Sequence, residues 1–447
     1  METRYPVAMR NLPKRLAALL LICLPLTAEV RSLTILHSND LHARLLPLAN
    51  GRGGFATIAT VIRRERADCI DCIYLNAGDL VQGTPVSTLF QGLPVYEISN
   101  LLGFDAATLG NHEFDYGWQQ VRVFLRTAKY PIVSSNLVDA KGQLMTDEPY
   151  VILKVNGLRV AVIGAMTETL PDLTNPRALG EWHPLPILAT ARKAASELRE
   201  KSDLIVLLGH ITGEEESALL ENAPEIPVLV TGHIHTGLSQ AVTHDGRILV
   251  RVKSYGEEIG KLKLQVDTVR KAPLPGWNWT RIPVDSTAVP AAEDVKRQVN
   301  RWEAEVSARV DRPLAVAKRT FDKAEVRVLI EQAMRDASGA DFAFLNAEGV
   351  RDILPQGQLL ERHIWNIMPF DNLVVVGTFH GRDLPAVVVG NRQVDPDREY
   401  TLAVTDFTAA NQATAENLRT KGLVFPRELG AVRDILIDWF RQKKVIE

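Results

Sequence analysis

Five short apolar runs in the first half of this chain each end on side chains that can hold a metal ion. "LTILHSNDLH" (33–42) ends on Asp40 and His42, "IYLNAGD" (73–79) on Asp79, and "AATLGNH" (106–112) on Asn111 and His112. "LIVLLGH" (204–210) ends on His210 and "PVLVTGHIH" (227–235) on His233 and His235. Apolar runs alternating with amphipathic stretches argue an α/β domain. In such sheets ligands bind beyond the carboxyl ends of the strands, so loops far apart in sequence can converge on one point. Each piece alone is unspecific, because a His closing a strand is commonly a hydrogen-bonded core residue. All five in this order are hard to explain as packing.

The donor set is chemically coherent. Two carboxylates (Asp40, Asp79), four imidazoles (His42, His210, His233, His235) and one amide (Asn111) exceed what one ion needs. They suit two ions sharing a bridging carboxylate. Mixed nitrogen and oxygen donors favour Zn, Mn, Co or Fe over Ca²⁺ or a thiolate-bound ion. Two such cations roughly 3.5–4 Å apart can activate a water and clamp an in-line displacement at phosphorus.

The rest of the chain supplies the organisation. At 447 residues it is too long for one ordinary core, so two domains are expected. Asn156-Gly157 between two apolar runs predicts a hairpin, so the first sheet system is not purely parallel. A Pro-rich, polar stretch over 272–290 reads as a domain exit. "AAEDVKRQVNRWEAEVSARV" (291–310) then reads as a helix with Val295, Val299 and Trp302 on one side. A second, smaller α/β unit follows. The resulting division is a signal peptide at 1–28, a first domain at 31–285, a linker helix at 286–312 and a second domain at 313–447.

Arg4, Arg10, Lys14 and Arg15 precede the apolar run "LAALLLICLPL" (16–26), which is too short to span a bilayer. That order predicts a cleavable secretory signal, and hence an exported protein, periplasmic or secreted, with no stable membrane span after cleavage. Cys69 and Cys72 remain, spaced C-x-x-C with no second pair, which argues against a zinc site and leaves a local disulfide or two inert thiols. Net charge is −3 and no block of five like charges occurs, so nothing suggests binding to a nucleic acid polymer.

The blocks "HSNDLH", "NAGDLVQGTP", "LGNHEFDYG", "LLGH" and "TGHIHTG" resemble those of the calcineurin-like metallophosphoesterases, in the branch of secreted 5′-nucleotidases, UDP-sugar hydrolases and 2′,3′-cyclic phosphodiesterases. The resemblance spans nearly the whole mature chain. It implies a β-sandwich flanked by helices, followed by a smaller α/β substrate-binding domain. It also implies two divalent metal ions: one on Asp40, His42, Asp79 and His235, the other on Asp79, Asn111, His210 and His233. His112 would then face the leaving group rather than a metal. Asp115, three residues on, would complete a dyad by fixing its tautomer, against the blander reading of an N-cap or solvated loop residue. Glu113 is left as structural.

In the second domain, "LNAEGVR" (345–351) resembles the family's N-G-G-G-[IV]-R block and nominates Asn346 for the base and Arg351 for phosphate or ribose. "IMPFDN" and "LAVTDF" nominate Phe370 and Phe407 as two rings that would clamp a base. The family's G-G-D-G-[YF] segment after the second ring is replaced by "TAANQATAENL", and Lys318, Arg319 and Arg327 compete for the role of a further arginine. The expected activity is hydrolysis of nucleoside 5′-monophosphates or related nucleotides. A cyclic nucleotide, a sugar phosphate, a sulfur ester, or a non-catalytic surface protein retaining the fold stay open.

Overall fold

A computed structural model describes residues 29–414 and 416–447, together with Met1. The predicted signal peptide lies almost wholly outside the described residues. Among these, no helix is long and apolar enough to cross a membrane.

The first domain is two six-stranded sheets packed face to face. The first runs, in spatial order, Ala272–Pro273, Glu258–Asp267, Val30–Ser38, Cys72–Asn76 and Ala106–Ala107, with Asn278–Pro283 also paired to Glu258–Asp267. The second runs Val242–His244, Arg247–Val250, Val228–Gly232, Leu204–His210, Leu158–Met166 and Tyr150–Val155. All five ligand-bearing runs contain a strand, although the one before Asn111 is only Ala106–Ala107. The strands before Asp40, Asp79 and Asn111 are parallel neighbours, as are those before His210 and His233, so their loops emerge on one edge of each sheet. The hairpin at Asn156-Gly157 forms, with both residues left-handed at φ 47° and 75°, and it supplies the antiparallel edge.

Side-chain alternation explains the layering. Leu33, Ile35, Ile73 and Leu75 meet Val160, Val162, Val206 and Leu208 between the sheets. The intervening Leu36 and Tyr74 face the opposite way, onto the helix Phe55–Ala67. Ala161, Ile163, Ile205 and Leu207 face the helix Ile187–Leu198 on the other side. The central strands of both sheets are thus buried on both faces and read as continuous apolar runs, whereas outer strands such as Glu258–Asp267 alternate.

The helix Glu293–Val310 carries Val295, Val299, Val306 and Val310 on one stripe, and all four are buried within the first domain's own core. Its far side is gripped from the second domain: Arg362 reaches Glu303 at 2.7 Å, Ser307 at 2.8 Å and Asp311 at 2.6 Å. The second domain holds a four-stranded sheet (Phe342–Ala343, Glu399–Thr405, Leu373–His380, Arg427–Ala431) and a three-stranded one, packed with the helices Lys323–Ser338 and Val432–Lys443. "YTLAVTDF" is strand only to Thr405. Thr405 then caps a short helix, Asp406–Ala410, which places Phe407 in a helical first turn. Cys69 and Cys72 are joined as a disulfide just beyond the Phe55–Ala67 helix.

Candidate metal centre and substrate cleft

The loops that carry the donors are tied to one another by backbone bonds. Asp40 N–H donates to the Gly78 carbonyl at 3.0 Å, His42 N–H to Asp79 at 3.0 Å, and Tyr255 N–H to Asp40 at 2.7 Å. Asp40, His42, Asp79 and His233 all hold left-handed backbone, at φ 50°, 47°, 54° and 79°. Such strain persists only where surrounding structure enforces it, and it concentrates at functional sites. Gly110 is demanded by close approach, since a Cβ there would lie 2.1 Å from Asp79 Oδ1.

Glu113 does much of the enforcing. Its fully buried carboxylate accepts from the N–H of Asp79 at 3.1 Å and of Leu80 at 2.9 Å, and also from Gly110, so it stitches two ligand loops together. Burial, then the nearby Asp79, push its pKa up to about 7.

Asp40, His42, Asp79 and His235 each offer an atom to a cluster in which all four lie within 4.8 Å of one another. His42 Nε2 is 2.9 Å from His235 Nε2, 3.7 Å from Asp79 Oδ2 and 3.9 Å from Asp40 Oδ1. Burial holds His42 well below the usual histidine pKa and His235 down to about 3, so both imidazoles are neutral. Two neutral ring nitrogens facing each other beside two carboxylates form a donor set that a cation completes. A second set adjoins it. His210 Nδ1–H donates to the Ala77 carbonyl at 2.8 Å, which turns Nε2 toward Asp79 Oδ2 at 3.2 Å and Asn111 Oδ1 at 3.1 Å. The His233 ring packs edge-on against it with centroids 5.0 Å apart, and burial lowers its pKa to about 3. Asp79 Oδ2 is common to both sets. Burial raises Asp79, but His210, His112 and His42 outweigh it and hold the carboxylate well below its usual range. Burial lowers His210, and Asp79 with Asp40 more than reverse this, to about 10. Burial leads in lifting Asp40 to about 6.

His112 sits in a 3₁₀ turn, Asn111–Phe114, with its N–H on Asp79 Oδ1 at 3.0 Å. Its Nδ1 lies 2.8 Å from Asp115 Oδ2. Burial disfavours the imidazolium, but Asp115 and Asp79 overcome it and raise the pKa.

A cleft of about 740 Å³ opens over this centre and runs between the domains. Asp79, Asn111, His112, Asp115, His233 and His235 line it from the first domain, and Asn346, Arg351, Phe370 and Phe407 from the second. Asp40, His42 and His210 are fully buried. Arg351, 7% exposed, reaches to 3.5 Å from His42 Nε2, and its guanidinium carbon stands 5.8 Å from the Phe370 centroid. The Phe370 ring is 6.1 Å from that of His112. Both Phe370 and Phe407 are half-buried, and the Asn346 side chain is buried with no hydrogen bond to its amide among the described residues. Arg319 and Arg327 are paired with Glu325 and Glu331. Neither of them, nor Lys318, lines the cleft.

Sequence reasoning missed part of the wall. Leu173, Asn175, Arg177 and Ala178 come from the first domain and close the outer end, where Asn175 Nδ2 lies 3.4 Å from Asp406 Oδ2. "LTNPRA" reads only as a turn, and only tertiary contact gives it a place at the cleft.

Residues 33–237 match the calcineurin-like phosphoesterase family, and residues 303–389 match the 5′-nucleotidase C-terminal domain. The chain is 28% identical to the endonuclease YhcR of Bacillus subtilis (strain 168) over 84% of its own length, but spans only 34% of that protein. It is 25% identical to a 5′-nucleotidase of Vibrio cholerae, covering 85% of this chain and 79% of the other. In fold it is similar to a 5′-nucleotidase precursor from Thermus thermophilus, with a TM-score of 0.82 at 24% identity, covering 93% of this chain and 97% of that one.

Proposed function

The chain belongs to the calcineurin-like phosphoesterases and carries a 5′-nucleotidase C-terminal domain, and from this premise we propose that it is an exported, metal-dependent phosphohydrolase of nucleoside 5′-monophosphates or related nucleotides. The observation that carries the reading is one cleft in which a metal-binding donor cluster, an acid–base pair, a buried arginine and two half-buried phenylalanines face each other. Asp40, His42, Asp79 and His235 would hold one divalent ion and Asp79, Asn111, His210 and His233 the other. When bound, the ions would activate water and neutralise charge on the phosphoryl oxygens.

The chain's own side chains supply the remainder. Arg351 meets the phosphate with a fixed fork of N–H donors. His112, held in one tautomer by Asp115, delivers a proton to the departing oxygen, and its raised pKa keeps that proton available near neutrality. Phe370 and Phe407 offer π-faces to a base, and Asn346 offers an amide to its edge. The exported location is supported by the basic-then-apolar N-terminal segment and by the Cys69–Cys72 disulfide, which suits an oxidising compartment.

The test is purified protein loaded with Mn²⁺, Co²⁺ or Zn²⁺ and assayed on an aryl phosphate, AMP, a 2′,3′-cyclic nucleotide and UDP-glucose. AMP hydrolysis with high kcat/KM is expected. Cleavage of the aryl phosphate without any nucleotide activity would leave a phosphohydrolase with a different natural ester.

A further inference from the structure

Arg351 is carried by the second domain, yet its Nη2 lies 3.5 Å from His42 Nε2 in the first. Two residues past His42, Arg44 reaches back across the same boundary. Its Nη1 donates to Asp352 Oδ2 at 3.3 Å, and Asp352 directly follows Arg351 in the chain. One ion pair thus ties the loop that carries a metal donor to the segment that carries the phosphate-facing arginine.

The first-domain half of this tie is fixed relative to the donors. Ala43 N–H donates to the Leu80 carbonyl at 2.7 Å and Arg44 N–H to the Leu41 carbonyl at 3.0 Å. The Arg44 guanidinium carbon stands 5.2 Å from the centroid of the Tyr255 ring, a cation–π arrangement. Tyr255 is itself held against the donors. Its N–H sits on the Asp40 carbonyl, and its ring centroid is 5.6 Å from those of both His42 and His235. Its backbone is left-handed, at φ 64°, which surrounding structure must enforce. Among the described residues the Arg44 side chain has no hydrogen-bond partner except Asp352, and its buried Nε has none. The guanidinium is therefore placed by stacking and committed to one carboxylate.

The second-domain half is fixed less completely. Arg351 N–H donates to the Ile367 carbonyl at 2.9 Å, which holds its backbone within its own domain. Asp352 accepts from the Ile353 N–H through Oδ1 at 2.9 Å and leaves Oδ2 for Arg44. The Arg351 side chain, by contrast, has no hydrogen bond within its own domain among the described residues. Cations also crowd this corner. Burial first, then Arg351, lowers the pKa of Lys323; Arg44 adds to the repulsion and Asp352 opposes it. The pair's side chains are 11% and 33% exposed, so water screens it less than an ordinary surface pair.

We propose that Arg44 is a positioning residue, a role that rests on the phosphohydrolase reading above. Paired with Asp352, it holds Arg351 at the distance from the metal centre that a bound phosphoryl group requires. Arg351 would grip that group in the ground and transition states alike. Loosening it should therefore raise KM and leave kcat nearly unchanged.

Asp352→Asn keeps the shape and removes the charge. In Mn²⁺-loaded protein its KM for an aryl phosphate should rise roughly 3–10-fold, with kcat within about twofold of wild type. Inhibition by inorganic phosphate should weaken by the same factor. Arg44→Met, which keeps an apolar stem over Tyr255, should behave likewise, and Arg44→Lys should recover part of the loss. Combining Arg44→Met with Asp352→Asn should be no worse than either alone, because each removes the same pair. In an Arg351→Met background Asp352→Asn should raise KM no further, since no guanidinium is left to place. Wild-type KM and phosphate inhibition in folded, metal-replete Asp352→Asn overturn the proposal. So does full additivity of the two substitutions, and so does an undiminished further rise in KM on Arg351→Met. Lowered metal content or melting temperature in Asp352→Asn makes the pair a brace of the fold and likewise overturns it. A wild type inert towards the aryl phosphate defeats the phosphohydrolase reading itself, whereas an active wild type matched in KM by Asp352→Asn defeats the Arg44 role alone.

Discussion

The two walls of the cleft are built differently. On the first-domain side, each donor's position is over-determined: left-handed backbone at Asp40, His42, Asp79 and His233 is held by cross-loop bonds and by the buried Glu113 carboxylate. On the second-domain side the cleft-lining groups are held from one end. The Asn346 amide bonds nothing among the described residues, and Phe407 stands at the start of a five-residue helix. Phe370 is positioned through its backbone, by Arg433, which donates to the carbonyls of Met368 at 3.3 Å and Phe370 at 3.1 Å, pairs with Asp371 and stacks on Trp365. Metal chemistry fails when an atom is displaced by a fraction of an ångström. Stacking on a base tolerates sliding. The first wall is therefore the more tightly fixed of the two.

The sharpest way to break that contrast is Asp79→Ala. One carboxylate contacts both donor sets, so both ions should be lost together and activity should drop to the level of metal-free protein. Near-native metal content in this variant would falsify the two-set arrangement. His112→Ala should come next, with turnover on AMP down roughly 10²–10⁴-fold while both metals stay bound. An aryl phosphate, whose leaving group needs little protonation, should lose much less. Metal loss in the His112 variant would instead make that residue a ligand.

Glu113→Gln probes rigidity itself. It touches no substrate, yet it weakens the charged acceptor shared by Asp79, Leu80 and Gly110. Metal affinity should fall roughly 10–100-fold, the scale for outer partners that hold ligands in place. Titration with metal after chelation measures this, and an unchanged affinity would show that the loops hold themselves. The smallest effect belongs to the second wall. Phe370→Ala should lose roughly 1–3 kcal/mol of base binding, seen in kcat/KM for AMP and absent for the aryl phosphate. Equal fractional losses on both substrates would remove the stacking role.

The same contrast governed how much could be read from the sequence. Donors at the ends of apolar runs announce themselves only as a set, because strand ends share an edge and five such endings in one order are hard to explain as packing. Glu113 is adjacent to the nominated His112, but its work is to accept backbone N–H groups from a distant loop, which no local pattern encodes. In the second domain Asn346, Arg351, Phe370 and Phe407 were nominated through family blocks, since an aromatic or an amide alone carries no spacing rule. The structure brings all four to the cleft. The Leu173–Ala178 wall and Arg433 had no signal at all: ordinary residues acquire their places there only when distant segments meet. Phe407 shows the limit of propensity, since Thr405 and Asp406 end a strand by starting a helix.

The helix Glu293–Val310 has a practical consequence for anyone dividing this protein. Its position in the chain suggests a tether that belongs to neither half. Its four buried valines belong to the first domain's interior. A catalytic fragment ended near residue 285 would leave that interior open to solvent along a groove the length of the helix, and it would be expected to aggregate. A fragment ended just after Val310 would carry its own cover and give up the second domain's contacts, among them the grip of Arg362 and the bond from Thr88 to the Pro369 carbonyl. The severable joint of this gene therefore lies at the far end of the helix, and a chimaera that exchanges the recognition half should be spliced there.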